Sequence, residues 1–350
     1  MCLFKHFTYS HRPSPQHHLQ PTLIMSTSIY SFYTQLFPPD PLYTDKDVPN
    51  LQGKVYMVTG SNTGIGYEIV KVLYAKGARV YMACRTESKA KAAIAALGSI
   101  RTSTPGEVRY LHLNLSDLSS VKATVEEFSR QESKLDVLWN NAGIGGQAGT
   151  ITTQGHDDYM QIMCLGPFLL TQLLLPNLRR AAASSPRGSV RVTFTGSRLM
   201  EADAPPNGII MSELDTPGRP FSRLYSQAKA GNFFLGALMA RQLQSDGIIA
   251  LTINPGNLRT QIYDTIPSWV LSMIGFLLYD VKYGCYPNLW AGLSTDITME
   301  DTGRYVIPWG RWSIKVRADI LNALKSEKEG GSGVAQQFWD WCEKETKEWR

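Results

Sequence analysis

Tyr225 and Lys229 stand four residues apart, close to one helical turn, so on a helix both side chains share a face. A phenol with its ordinary pKa of about 10 is a poor acid–base near neutrality. An ammonium beside it favours the phenolate and lowers that value. Such a pair moves a proton on or off an oxygen, as carbonyl reduction or alcohol oxidation requires. Ser197 closes a Thr195-Gly196-Ser197 run after an apolar stretch. Its hydroxyl is suited to hydrogen-bond the reacting oxygen and share its developing charge. Alone, the Tyr–Lys pair reads as a solvated helix face and the serine as a turn residue. They acquire chemical meaning beside a cofactor site.

That site is visible in Thr59-Gly60-Ser61-Asn62-Thr63-Gly64-Ile65-Gly66. Glycines make the turn tight and let backbone approach a pyrophosphate, while a helix N-terminus offers unpaired N–H groups. Strand two ends Ala83-Cys84-Arg85-Thr86. An acidic residue there would select a free ribose 2′-hydroxyl; a guanidinium suits a 2′-phosphate. Arg85 therefore points to NADP (NADPH) over NAD.

The elements that must position these residues follow a strand-then-helix rhythm. Val55–Thr59, Ala78–Ala83, Val108–Leu113, Leu135–Trp139, Ser189–Phe194 and Ile248–Ile253 read as short, nearly all-apolar strands, the pattern of a parallel sheet covered on both faces. Helices are expected at Ile65–Lys76, Glu87–Leu97, Ser119–Gln131 (capped by Ser116 or Ser119), His156–Arg180 and Tyr225–Gln244. The fold class is α/β, a doubly wound parallel sheet of Rossmann type that binds ligands at the carboxyl ends of its strands. One catalytic domain spans 51–310 and includes a helical substrate-covering segment at 262–283. An N-terminal extension (1–50) precedes it, and a helical tail (311–350) follows.

The composition is that of an ordinary globular protein, 43% hydrophobic and 19% charged, enough for one sizeable core. A net charge of +5 without a basic block gives nucleic-acid binding no support. Five scattered cysteines without a CxxC suit a reducing, cytoplasmic setting rather than a disulfide framework. Four of the six histidines fall in the first eighteen residues, and no HExxH occurs, so no metal site is expected. Met1–Ile24 holds no acidic residue and no long apolar run, so it does not read as a secretory signal. It is expected to be disordered, with a transit peptide or an alternative start at Met25 as other readings. Pro267–Tyr279 is apolar but far short of the ~20 residues of a spanning helix. It reads as a pocket cover, with Trp269 and Phe276 lining the pocket or packing in the core, or as a peripheral membrane contact.

Together these motifs resemble the short-chain dehydrogenase/reductase family from Gly53 to about Trp309. The glycine loop, Asn140-Asn141-Ala142-Gly143, Thr195-Gly196-Ser197, Tyr225-xxx-Lys229 and Asn254-Pro255-Gly256-Asn257-Leu258-Arg259-Thr260 occur in the family's order. The resemblance implies Ser197, Tyr225 and Lys229 as catalytic residues. It implies cofactor contacts from Gly60, Asn62, Gly64, Ile65, Gly66, Arg85, Asn114, Asn141, Tyr225, Lys229, Leu258 and Thr260. The stretch between Ser197 and Tyr225, with Tyr305–Gly310, is similar to the retinol-dehydrogenase-like branch and to fungal natural-product reductases. That branch acts on bulky apolar carbonyls and alcohols, usually with NADP; a homodimer is common in the family. Two positions depart from the pattern. Met163 stands where an asparagine usually holds a water of the proton relay. Asn114 replaces the usual adenine-contacting aspartate, and its amide oxygen still accepts from the adenine amine. The reading is an NADP-dependent oxidoreductase; the alternative is a non-catalytic dinucleotide-binding sensor or scaffold.

Overall fold

The computed structural model describes residues 27–146, 149–214, 216, 219–260 and 275–350. The expectations for Met1–Ile24, and for Trp269 within the substrate-covering segment, lie outside these residues. The first described element is a helix, α1 (Thr27–Leu36).

An eight-stranded sheet forms the centre, in the order β3-β2-β1-β4-β5-β6-β7-β8. Its strands are β1 (Val55–Thr59), β2 (Arg79–Cys84), β3 (Glu107–His112), β4 (Val137–Asn140), β5 (Arg191–Thr195), β6 (Ile249–Ile253), β7 (Tyr305–Ile307) and β8 (Arg311–Trp312). The first seven run parallel, and β8 returns antiparallel to β7. The chain moves outward from β1 in both directions, so the strand order reverses between β1 and β4. In doubly wound sheets this switch point opens the crevice that binds ligands. Strands β1, β4, β5 and β6 are buried throughout, which is why their sequences carry no alternation of apolar and exposed polar residues.

The helices are α2 (Gly64–Ala75), α3 (Glu87–Leu97), α4 (Leu118–Gln131), α5 (Asp158–Ala182), the short α6 (Leu199–Ala202), α7 (Phe221–Leu243), α8 (Val281–Leu293), α9 (Ala318–Ala323) and α10 (Val334–Thr346). Helices α2, α3 and α8 bury one face of the sheet, and α4, α5 and α7 the other. The tail helices lie outside this second layer: Phe338 of α10 fits over Gly231 of α7, and Trp339 packs edge-on against Phe168 of α5. Helix α5 is apolar and long enough to cross a membrane, yet 78% of its most apolar window is buried in the molecule, as befits a core helix.

Local chemistry sets the boundaries. Gly77 (φ +86°) ends α2 in the left-handed region that glycine adopts without penalty, and Ala78 N donates back to Leu73 O. The cap of α4 is Asp117, not Ser116 or Ser119: its carboxylate accepts from the backbone N and hydroxyl of Ser119. A carboxylate also complements the helix dipole there. Helix α7 begins at Phe221, four residues before Tyr225. Arg191, buried at the start of β5, donates to the carbonyls of Gly188, Ala291 and Ser294 and so fastens α8 to the sheet. The strand β8 lies past residue 310, so the sheet extends into the segment that the sequence reads as a tail.

Candidate active site

The glycine loop joins β1 to α2 at the switch point. Gly60 (φ +63°) faces Ala142 so closely that a Cβ would come within 2.9 Å of Ala142 Cα. A Cβ at Gly66 would lie 2.7 Å from both Asn141 Nδ2 and Ser61 Cα. These two glycines are required by close packing of the loop on the β4 end. Gly64 is different: it needs glycine for its φ of +61°, and the space beside it is open within 4 Å. The side chain of Thr63 makes no cap to α2, so it does not compete for the first N–H groups of the helix. An open glycine at an uncapped helix N-terminus fits a pyrophosphate.

Asn141 holds this loop in place. Its Nδ2 donates to Thr59 O at 2.9 Å and to Gly60 O at 3.5 Å, while Thr59 Oγ1 accepts from the backbone N of Asn141 and Ala142. Its amide hydrogens are committed to the loop. Asn62 lines a hollow of about 380 Å³ with Thr63, Tyr67, Lys89, Ala92, Ala93 and Ala96. Arg85 is exposed just beyond β2. Lys89, a cation four residues after Arg85 that the sequence reading passed over, lines the hollow with Asn62. Asn114 Oδ1 accepts from the backbone N and the hydroxyl of Ser116, the latter at 2.7 Å. The oxygen that the sequence reading offers to adenine is thus already engaged within its own turn.

Leu258, in the loop after β6, is buried and bridges to Tyr279. A Cβ at Gly284 of α8 would touch Leu258 Cδ1 and lie 3.1 Å from Ile65 Cγ1. The loop after β6 and the glycine loop therefore meet over α8, although about 190 residues separate them. Thr260 closes the described part of the β6 loop. Phe276, on a short turn at Gly275–Leu277, is 74% exposed and lies outside the core.

Lys229 is 3% exposed, and its Nζ donates to Thr195 O at 2.8 Å. The same Nζ stands 5.2 Å from the centroid of the Tyr225 ring. One ammonium thus joins the Tyr225 face of α7 to the end of β5, two residues before Ser197. Asn232 Nδ2 donates to the same Thr195 carbonyl at 2.9 Å. Burial lowers the pKa of Lys229 to about 8, so it remains mostly charged at neutral pH. Ser197 Oγ accepts from Leu199 N at 3.2 Å, which aims the hydroxyl at the start of α6. Phe221 packs on Tyr225 with ring centroids 5.4 Å apart. Met163 is fully buried in a single π-helical turn (Gln161–Leu165) of α5. A Cβ placed on Gly143 would lie 3.4 Å from Met163 Sδ and 3.7 Å from Lys229 Nζ. The Met163 thioether and the Lys229 ammonium thus both approach Gly143.

The structure brings Ser197, Tyr225 and Lys229 to the carboxyl end of β5 and the facing turn of α7, and the glycine loop to the adjacent switch point. A doubly wound fold with this glycine loop and this Ser–Tyr–Lys set is the arrangement of a nicotinamide-dinucleotide oxidoreductase. The short chain dehydrogenase family model matches residues 54–200. The chain is 42% identical over 326 residues to the short-chain dehydrogenase/reductase iacJ of the fungus Pestalotiopsis fici, covering 92% of this chain and 99% of that protein. An uncharacterized protein from Mycobacterium paratuberculosis superposes with a TM-score of 0.62 at 25% identity, over 87% of this chain and 97% of that one. A blue fluorescent protein from a metagenomic library, solved with NADPH, gives a TM-score of 0.55 at 27% identity over 73% and 96%. The chain belongs to the short-chain dehydrogenase/reductase family.

Proposed function

We propose that this oxidoreductase is NADP-dependent and interconverts a carbonyl and an alcohol on a bulky, largely apolar small molecule, in a natural-product pathway. The observation that carries the chemistry is the placement of Lys229: its Nζ is bonded to the β5 end and stands 5.2 Å from the Tyr225 ring. When bound, the nicotinamide supplies or accepts the hydride. Tyr225 gives a proton to the reacting oxygen in reduction and takes it in oxidation. The ammonium of Lys229, held by Thr195 O away from bulk water, favours the phenolate form. Ser197 donates a hydrogen bond to the reacting oxygen as charge builds on it. Arg85 supports NADP because it follows β2 with no carboxylate among Ala83–Thr86, and Lys89 adds a second positive charge nearby.

The test is NADPH oxidation against a panel of bulky apolar ketones and aldehydes. Tyr225→Phe is expected to lower turnover by about 10²–10⁴-fold while NADPH binding persists. NADPH binding by the wild type with no turnover on any carbonyl would overturn the catalytic reading and leave a sensor or scaffold in its place.

A further inference from the structure

The helix α1 lies in front of the core domain in the chain, yet among the described residues its side chains and carbonyls bond to α6, the β6 loop and the segment around β8. Gln35 is 2% exposed. Its Nε2 donates to Glu201 Oε2 at 2.9 Å, and its Oε1 accepts from Asn254 Nδ2 at 2.8 Å. Glu201 belongs to α6, the short helix that starts just after Ser197. Asn254 opens the β6 loop that bears Leu258 and Thr260, and its Oδ1 accepts from Gly256 N. One side-chain amide therefore spans the segment carrying Ser197 and the loop on the nicotinamide side.

Further contacts seat the helix there. Thr34 O accepts from Arg311 Nη2 at 2.8 Å, Leu36 O accepts from the Tyr279 hydroxyl, and Ser31 Oγ donates to Lys315 O. The Arg198 guanidinium, next in sequence to Ser197, lies 4.5 Å from the centroid of the Phe32 ring. Helix α1 thus closes over the ends of β5, β6 and the β7–β8 turn. The Gln35 bridge has a chemical polarity: a donor must face the carboxylate and an acceptor must face the Asn254 amide. Glutamine meets both demands in one side chain beside the Glu201 carboxyl, which burial holds above its usual pKa.

We infer that Gln35 is a positioning residue that sets Ser197 against the nicotinamide-side loop, making α1 a working part of the active site. The inference rests on the assignment of Ser197 and the β6 loop to that site. Several groups surround the bridge: Arg198 and Arg317 lie near the Glu201 carboxylate and Tyr305 packs beside it. The Arg317 guanidinium is also held by the Glu201, Ala204 and Pro205 carbonyls and by Asp319.

Three variants of the full chain test it: Gln35→Leu, Gln35→Glu, and the swap Gln35→Glu/Glu201→Gln. Gln35→Leu is expected to reduce turnover by about 10²-fold, as small misplacements of catalytic groups do, and to weaken NADPH binding. Gln35→Glu opposes two carboxylates, so its turnover is lost at alkaline pH and recovers on acidification, a pH profile that wild type does not show. The swap restores the donor–acceptor pairing with its direction reversed: an amide on α6 now donates to a carboxylate on α1. It is expected to return turnover and NADPH affinity toward wild type. Unchanged turnover and NADPH affinity in Gln35→Glu, or a loss that the swap does not rescue, would overturn the inference. If Gln35→Leu fails to fold, the Gln35→Glu variant and the swap decide alone. Wild type inactive on every carbonyl would count against the Tyr225 chemistry instead, and NADPH affinity across the three variants would still judge Gln35.

Discussion

Lys229→Met exchanges an ammonium for an apolar side chain of similar length at a site that is 3% exposed. Burial lowers the Lys229 pKa from 10.5 to about 8. At about 1.4 kcal/mol per pH unit, keeping the charged form in that site costs the fold on the order of 3 kcal/mol at neutral pH. The variant also loses the hydrogen bond to Thr195 O, about 1 kcal/mol. That carbonyl is not orphaned, because Asn232 Nδ2 still donates to it at 2.9 Å. The cofactor-free variant should therefore be more stable than wild type by roughly 2 kcal/mol at neutral pH, while turnover falls by about 10²–10⁴-fold. The pH dependence carries the sign. The folded-state pKa lies below the unfolded one, so between about 8 and 10.5 the unfolded chain binds more protons and wild-type stability rises with pH. The methionine variant has no such group, so its advantage shrinks across that window. Urea unfolding of both proteins without cofactor, at neutral pH and near pH 10, measures both quantities. A variant less stable than wild type at neutral pH, or an advantage independent of pH, would refute the account of Lys229 as a strained, buried charge.

Gly66→Ala places a methyl 2.7 Å from Asn141 Nδ2 and Ser61 Cα; NADPH affinity by fluorescence titration should drop at least about tenfold, with an overpacking cost of about 1–3 kcal/mol in unfolding. Unchanged affinity would remove the loop from the cofactor site. Arg85→Asp puts a carboxylate where a 2′-phosphate would bind, so the ratio of kcat/KM for NADPH to that for NADH should fall at least about tenfold; a constant ratio would move phosphate selection elsewhere, with Lys89 the next residue to change. Met163→Asn introduces an amide beside Gly143, which Lys229 Nζ also approaches, and should raise turnover at saturating substrate without altering the KM for NADPH. No gain would mean that protons reach Tyr225 by a path that does not pass this helix turn.

Strand–helix alternation was readable because apolar runs and helical spacing are local properties, and Glu87–Leu97 begins and ends where its sequence says. The Tyr225–Lys229 pair was equally local, since four residues on a helix share a face whatever surrounds them. The glycine loop was visible for a related reason, because positive φ and close backbone contact leave few residue types allowed. Short-range competition blurred other details. Asp117, Ser116 and Ser119 are all plausible caps by type, and only the backbone path selects the carboxylate.

The tertiary structure decided what depends on residues far apart in the chain. The depth at which Lys229 is buried, and therefore its pKa, follows from packing of α7 against β5 and α5 and from nothing in the YxxxK spacing. Asn141 Nδ2 holds the Thr59 and Gly60 carbonyls, a partnership between β4 and the glycine loop that no local pattern announces. Gln35 lies 166 residues from Glu201 and 219 from Asn254, so no periodicity or motif connects them. The sequence by itself determined the family and the candidate motifs, because local spacing and residue type suffice to specify a Tyr–Lys pair on one helix face and a glycine loop at a strand–helix joint. The tertiary structure decided how that chemistry is held, because burial and long-range hydrogen bonds exist only after the chain has closed on itself.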